Sequence, residues 1–152
     1  MIDVHVPVLV VGGGGAGLTA SMLLSTYGVE HLVVSATPTT SLLPKAHVLQ
    51  QRAMEVFRDV GCADAIYQAG TPAENMSHTA WYLDAAGSET TSRLITKMEC
   101  WDGGGTDPAW VAASPCRQAN LPQIRLEPLL KTRAEKLNPG GIRFGNELLA
   151  LE

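Results

Sequence analysis

Several functional classes are excluded by what this chain has little of. Only 5% of its residues are aromatic, and acidic residues outnumber basic ones 15 to 11. A surface that neutralises phosphates and stacks bases needs the opposite balance, so no nucleic-acid partner is expected. No apolar run reaches the ~18 residues of a membrane-spanning helix, so no membrane is expected either. The opening Met1-Ile2-Asp3-Val4-His5 lacks the positive stretch of a secretory signal. The three cysteines, Cys62, Cys100 and Cys116, form no C-x-x-C pair. An odd, unpaired set fits reduced thiols better than a disulfide framework, and a cytoplasmic location follows as the expectation. His5, His31 and His78 lack metal-ligand spacing, so no metal is expected. Neither a G-x-S-x-G elbow nor the Gly-Lys-Ser/Thr of a Walker A loop is present.

What remains is a chain of 152 residues, 45% hydrophobic and 17% charged. That is an ordinary soluble composition and the length of one domain. Val6 to Val11 is a short apolar, β-branched run and predicts a strand buried on both faces, with Pro7 near its start. Leu18 to Tyr27 predicts a helix that Gly28 stops. His31 to Val34 predicts a second buried strand, so Val6 to Val34 has the length of a βαβ unit. Ala36 to Pro44 reads as loop.

Farther on, Leu49, Ala53, Val56, Phe57 and Val60 recur at helical spacing and predict a helix over His47 to Val60 that ends at Gly61. Ala63 to Gln68 adds a second helical piece. Thr79 to Leu83 and Leu94 to Cys100 predict a hairpin around a turn at Asp84 to Gly87. Asp102 to Pro115 is polar and Gly-rich and reads as loop. A further helix ends near Leu137, with Pro122 suited to its first position and Pro128 marking a kink or its true start. Ile142 to Leu151 reads as a final strand without a partner. Arg52 and Glu55, three apart, read as an ion pair. Trp81, Trp101 and Trp110 read as core or interface, and Cys62 as a buried small apolar residue.

The chemistry-bearing feature is Gly12-Gly13-Gly14-Gly15-Ala16-Gly17 between the first strand and helix. It contains the dinucleotide fingerprint Gly12-x-Gly14-x-x-Gly17. Gly12 permits the turn out of the strand, Gly14 lets backbone approach a pyrophosphate, and Gly17 lets helix and strand pack closely. The amides around Gly15 and Ala16, at the positive end of the helix, face the phosphates. An acidic residue usually closes the second strand and binds ribose hydroxyls; Ser35 stands there instead. Its neutral hydrogen bond is roughly half as strong as a charge-assisted one.

Leu43-Pro44-Lys45-Ala46-His47-Val48-Leu49-Gln50-Gln51-Arg52-Ala53-Met54-Glu55-Val56-Phe57-Arg58-Asp59-Val60-Gly61, together with Leu121-Pro122-Gln123-Ile124-Arg125-Leu126-Glu127-Pro128-Leu129-Leu130 and the glycine loop, resembles the class A flavoprotein aromatic hydroxylases. These are single-component FAD monooxygenases of the p-hydroxybenzoate and phenol hydroxylase type, and the chain is most similar to the dichlorophenol and phenol monooxygenase branch. The resemblance implies an α/β fold, a Rossmann-like FAD-binding domain of the glutathione-reductase type with an added β-hairpin. It implies FAD as cofactor, NAD(P)H as reductant and a small aromatic substrate. Lys45, with Ala46 beside it, stands where an arginine contacts the FAD ribose and pyrophosphate; it keeps the charge without the bidentate fork. Gln123 matches a glutamine that touches the ribityl and phosphate part of FAD. His47 stands where phenol hydroxylases carry an aspartate near the phenolic hydroxyl. It is read either as a base that takes the phenolic proton or as a residue that only packs on FAD.

The family's downstream Gly-Ala-Asp-Gly and Gly-Asp-Ala motifs do not occur here. Residues 1–152 are therefore expected to be the N-terminal part of an FAD-binding domain, truncated, inactive alone, and partnered by the remainder of a longer chain. A homo-oligomer is compatible with this reading. Two alternatives stand beside it: another FAD-linked oxidoreductase, such as an oxidase or halogenase, and a nucleotide-binding remnant without chemistry.

Overall fold

The computed structural model describes residues 4–84 and 92–151. Its first unit follows directly from residue type. The β-branched run Val8–Val11 is strand β1, Gly15–Thr26 is helix α1, and His31–Ser35 is strand β2. β1 and β2 pair in parallel, Val8 opposite His31 through Val11 opposite Val34. Gly28 closes α1 at φ +70°, a left-handed value that glycine adopts without strain.

The next segment departs from the helical expectation at its start. Val48–Leu49 is a short strand, β3, and helix α2 begins only at Gln51 and ends at Asp59. The reason is a tertiary pairing: β3 lies antiparallel to β6 (Ala119–Asn120), Val48 opposite Asn120. Helix α3 (Ala63–Ala69) follows. Strands β4 (His78–Tyr82) and β5 (Leu94–Glu99) form the expected antiparallel hairpin; part of the turn assigned to it, Ala85 to Gly87, lies outside the described residues. The Gly-rich stretch taken as loop carries a glycine turn, α4 (Asp102–Gly105), and a helix, α5 (Pro108–Ala113). Asp107 starts α5 by accepting the Ala109 amide at 2.8 Å, with Pro108 preset for the first turn.

Helix α6 (Gln123–Leu137) follows Pro122, which sits just before the first helical position, and runs through Pro128 without stopping. Strand β7 (Ile142–Phe144) then joins β2 in parallel. The last strand therefore has a partner, and it is three residues long rather than ten. Gly145 at φ +70° turns the chain, and the Gly145 and Asn146 amides fold back onto the Thr37 and Ser35 carbonyls. The sheet order is β1-β2-β7.

One face of this sheet carries the core. Leu18 and Met22 of α1 are buried in one apolar cluster with Leu126, Leu130 and Ala134 of α6, and with Met54, Phe57 and Ile66 of α2 and α3. The other face is open. Leu9 and Val11 of β1 are exposed, against the expectation of a strand buried on both sides. Trp81 and Trp110 are exposed too, so neither is core. Behind the sheet, His31 makes a satisfied polar joint. Its Nδ1 lies 2.8 Å from the Val29 carbonyl, and its Nε2 meets Ser21 Oγ at 2.7 Å and Asn138 Nδ2 at 3.0 Å.

Cys62 is buried, with its Sγ 3.7 Å from Met22 Sδ. Burial pushes its thiol up, against an opposing pull from Arg133. Because the thiolate is the reactive form, Cys62 is expected to react with a thiol reagent at pH 8 only on unfolding. Alkylation followed by peptide mass spectrometry, with and without denaturant, checks this.

Candidate functional site

The glycine loop forms where β1 meets α1. Gly12 sits at φ +115°, closed to most side-chain-bearing residues, and its amide donates to the Val34 carbonyl at 2.8 Å. A Cβ at Gly17 would run into the Gly12 carbonyl, so α1 lies against the strand only because that position is glycine. Gly13 is equally committed: a Cβ there would come within 2.7 Å of the Phe144 ring and 3.0 Å of Ser35 Cβ. The first turn of α1 has no side-chain cap from Gly14 and no acidic residue of its own. Its positive end meets the Glu127 carboxylate instead, whose Oε1 accepts from the Gly15 amide at 3.3 Å.

A cleft of about 510 Å³ opens above this loop, within the range of small-molecule sites. Gly12, Gly13 and Gly14 form one wall, Ser35 and the stretch from Thr37 to Leu43 a second, and Lys45, Gln123 and Glu127 complete it. Five residues singled out from sequence, Gly12, Gly14, Ser35, Lys45 and Gln123, thus meet in one cavity. Gly15 and Ala16 line a neighbouring apolar groove with Val56 and Phe57 instead. Gly17, Ala46 and His47 do not line the cleft.

The loop carrying Lys45 is held by backbone bonds to the start of α6. The Gln123 amide donates to the Pro44 and Ala46 carbonyls, both at 2.9 Å, and the Leu121 amide donates to His47 at 2.8 Å. Lys45 itself sits at φ +43°, unusual for a residue with a side chain. Among the described residues it is the one cation lining the cleft, and it is exposed. Ser35 is buried, its Oγ 3.0 Å from Thr37 Oγ1. His47 is exposed, and its Nδ1 lies 3.0 Å from Asn120 Oδ1. An amide oxygen only accepts, so Nδ1 is the donor in this pair.

Two residues here were missed from sequence. Gly13 lies inside the fingerprint at a variable position; four consecutive glycines were the signal that a third constraint operates. Glu127 is buried at 2% exposure and lines the cleft. Its signal was a carboxylate between Leu126 and Leu130, on a stripe that α6 buries, four residues after Gln123. Away from the cleft, Arg52 and Glu55 pair at 2.7 Å as expected. The Arg52 guanidinium, and then the Ser114 hydroxyl, hold the Glu55 carboxyl below its ordinary range. Among the described residues no cluster of His, Cys, Asp or Glu could hold a metal ion, and no helix is long and apolar enough to cross a membrane.

Residues 5–152 match the family model described as FAD binding domain. The chain is 37% identical to a 2,4-dichlorophenol 6-monooxygenase of Delftia acidovorans, over 98% of this chain and 25% of that protein. It is 35% identical to a phenol 2-monooxygenase of Pseudomonas sp. (strain EST1001), over 86% of this chain and 21% of that protein. In structure it is similar to the flavin-dependent monooxygenase PieE in complex with FAD and substrate, with a TM-score of 0.86 and 39% identity, over 100% of this chain and 26% of that one. The chain thus spans about a quarter of the length of these relatives.

Proposed function

This chain belongs to the FAD-binding-domain family, and from that premise we propose that it holds the ADP half of FAD in a flavoprotein monooxygenase that hydroxylates a phenolic or aromatic substrate with NAD(P)H and O2. The observation that carries the reading is the cleft itself: a side-chain-free loop at the positive end of α1, facing a cation and a row of hydroxyls. The cradle fits a pyrophosphate. A Cβ at Gly12 would meet nothing within 4 Å, so the backbone there borders open cleft. Gly12, Gly14, Gly15, Ala16 and Gly17 are assigned to the phosphates, Lys45 and Ala46 to the ribose and pyrophosphate, Ser35 to the ribose, and Gln123 to the ribityl and phosphate part. Bound FAD supplies two-electron transfer from NAD(P)H and activation of O2. The protein's part is to bind it, orient it and manage the proton of the substrate.

Residues 1–152 are assigned to the N-terminal part of the FAD-binding domain. The uncovered sheet face, with Leu9 and Val11 exposed, and the quarter-length match to the relatives both support this. The remainder of that domain and the substrate domain are its intramolecular partners. The cytoplasm is the proposed location, in keeping with the reduced cysteines.

The test is NAD(P)H oxidation by the full-length parent protein loaded with FAD, in the presence of a panel of phenols. Oxidation accelerated by a phenol, with a hydroxylated product by mass spectrometry, is expected. A rate indifferent to every phenol points to an oxidase or another FAD-linked oxidoreductase.

Lys45 supplies one long-range attraction to the pyrophosphate from an exposed position. Lys45→Ala is expected to weaken FAD binding about fivefold to tenfold, and Lys45→Arg to preserve or tighten it. Fluorescence titration of FAD measures both.

His47 is proposed to take the phenolic proton. The bond to Asn120 occupies Nδ1 and leaves Nε2 for a substrate, and a phenolate ring is the stronger nucleophile. Its exposed position beside the cleft, rather than in it, leaves room for a substrate held by other parts of the protein. His47→Ala is expected to lower kcat/KM for the phenol and to change the shape of its pH profile. A profile of unchanged shape in an active variant assigns His47 to packing alone.

A further inference from the structure

Glu127 is a charged side chain almost wholly removed from water, and the dinucleotide fingerprint gives it no role. Its position on α6 brings it to the loop after β2, to Gln123 one turn earlier, and to the first turn of α1 beside the cleft. The Ser41 amide donates to its Oε2 at 2.6 Å, from the loop after β2. The Gln123 side-chain amide donates to its Oε1 at 2.5 Å, from one turn earlier on α6. The Gly15 amide donates to the same oxygen at 3.3 Å, from the first turn of α1. A buried carboxylate persists only where donors compensate its lost hydration, and here they come from α1, the loop after β2 and α6. We infer that Glu127 is the positioning residue of the FAD site: one carboxylate that draws the glycine loop, the 37–45 loop and Gln123 into a single binding geometry.

The chemistry requires a carboxylate. Both oxygens accept, and each is used by a different segment. A glutamine at this position has one accepting oxygen and would turn an NH2 group toward a second donor, so it holds at most one side of the clamp. The carboxylate also fixes Gln123, whose NH2 group must face it. The Gly15 bond is the longest of the three, so that amide is the donor most easily shared with an incoming phosphate. A carboxylate beside a pyrophosphate also repels it. The two effects have opposite signs in Glu127→Gln. If repulsion dominated, the variant would bind FAD more tightly. If the clamp dominates, as inferred, it binds more weakly.

This inference rests on the proposal that the cleft holds FAD, and the experiment separates the two. FAD affinity is measured by fluorescence titration for the parent protein, Glu127→Gln, Gln123→Ala and the double variant. Amide hydrogen exchange is followed over residues 37–45 without FAD. The expected results are a tenfold or larger loss of affinity in Glu127→Gln, faster exchange at residues 37–45, and a thermal midpoint close to that of the parent. Gln123→Ala on the Glu127→Gln background should cost less than it does alone, since the two side chains act as one unit. Unchanged exchange over 37–45, or equal or tighter FAD binding by Glu127→Gln, overturns the clamp while leaving the FAD reading intact. A parent protein that does not bind FAD overturns both.

Discussion

Gly17→Ala is expected to reduce FAD affinity by a factor of about 100 or more, close to 3 kcal/mol of binding free energy. The new methyl group would occupy the space of the Gly12 carbonyl. The Cβ position is fixed by its own backbone and the carbonyl is backbone, so no rotamer change relieves the overlap; α1 must move away from β1. Over-packing of this kind costs about 1–3 kcal/mol of stability. The affinity cost is larger because Gly12 to Gly14, which line the cleft, join β1 to α1 and shift with the helix. Gly15→Ala is the control: a Cβ there meets nothing within 4 Å, and the residue is already helical. It should leave stability unchanged or slightly raised, since alanine outranks glycine in a helix. Thermal unfolding and FAD titration on both variants check the contrast. Equal behaviour of the two would remove the close-packing argument for the fingerprint's third glycine.

Leu18→Ala is expected to destabilise the protein by about 3–5 kcal/mol through the cavity it leaves. Leu18 is fully buried, in the same cluster as Leu126, Leu130 and Met54. It is also the residue directly after Gly17, so the core it anchors is the floor beneath the phosphate loop. The unfolding midpoint should fall by roughly 10 °C. FAD, binding only the folded state, should restore part of that loss as its concentration rises. A fall of only a degree or two would place the main core elsewhere than between α1 and α6.

Local rules sufficed where neighbours in sequence are neighbours in space. The run Val8–Val11, the six-residue glycine loop and the helix stop at Gly28 are short-range features, and each formed as residue type dictates. They failed where a distant partner decides. Val48 and Leu49 carry helical periodicity, but Ala119 and Asn120, some seventy residues on, pair with them as a strand. Asn146 likewise folds onto the Ser35 carbonyl, which ends β7 after Phe144 while apolar residues continue. Asp107-Pro108 was a local start signal for α5, hidden by the glycines before it. Of the residues lining the cleft, Gly12, Gly14, Ser35, Lys45 and Gln123 could be picked out beforehand because each belongs to a motif. Glu127 was not, because its donors lie on three segments and only the fold brings them together.

The central claim is that the cleft above Gly12 to Gly14 receives the ADP half of FAD. Its most direct test is competitive titration: FAD fluorescence is followed as FAD binds the folded parent protein, and ADP is then added. Saturable quenching that ADP reverses, and that Gly17→Ala abolishes, is the result expected here. Folded protein that leaves FAD fluorescence unchanged, or FAD that ADP cannot displace at any concentration, would contradict it.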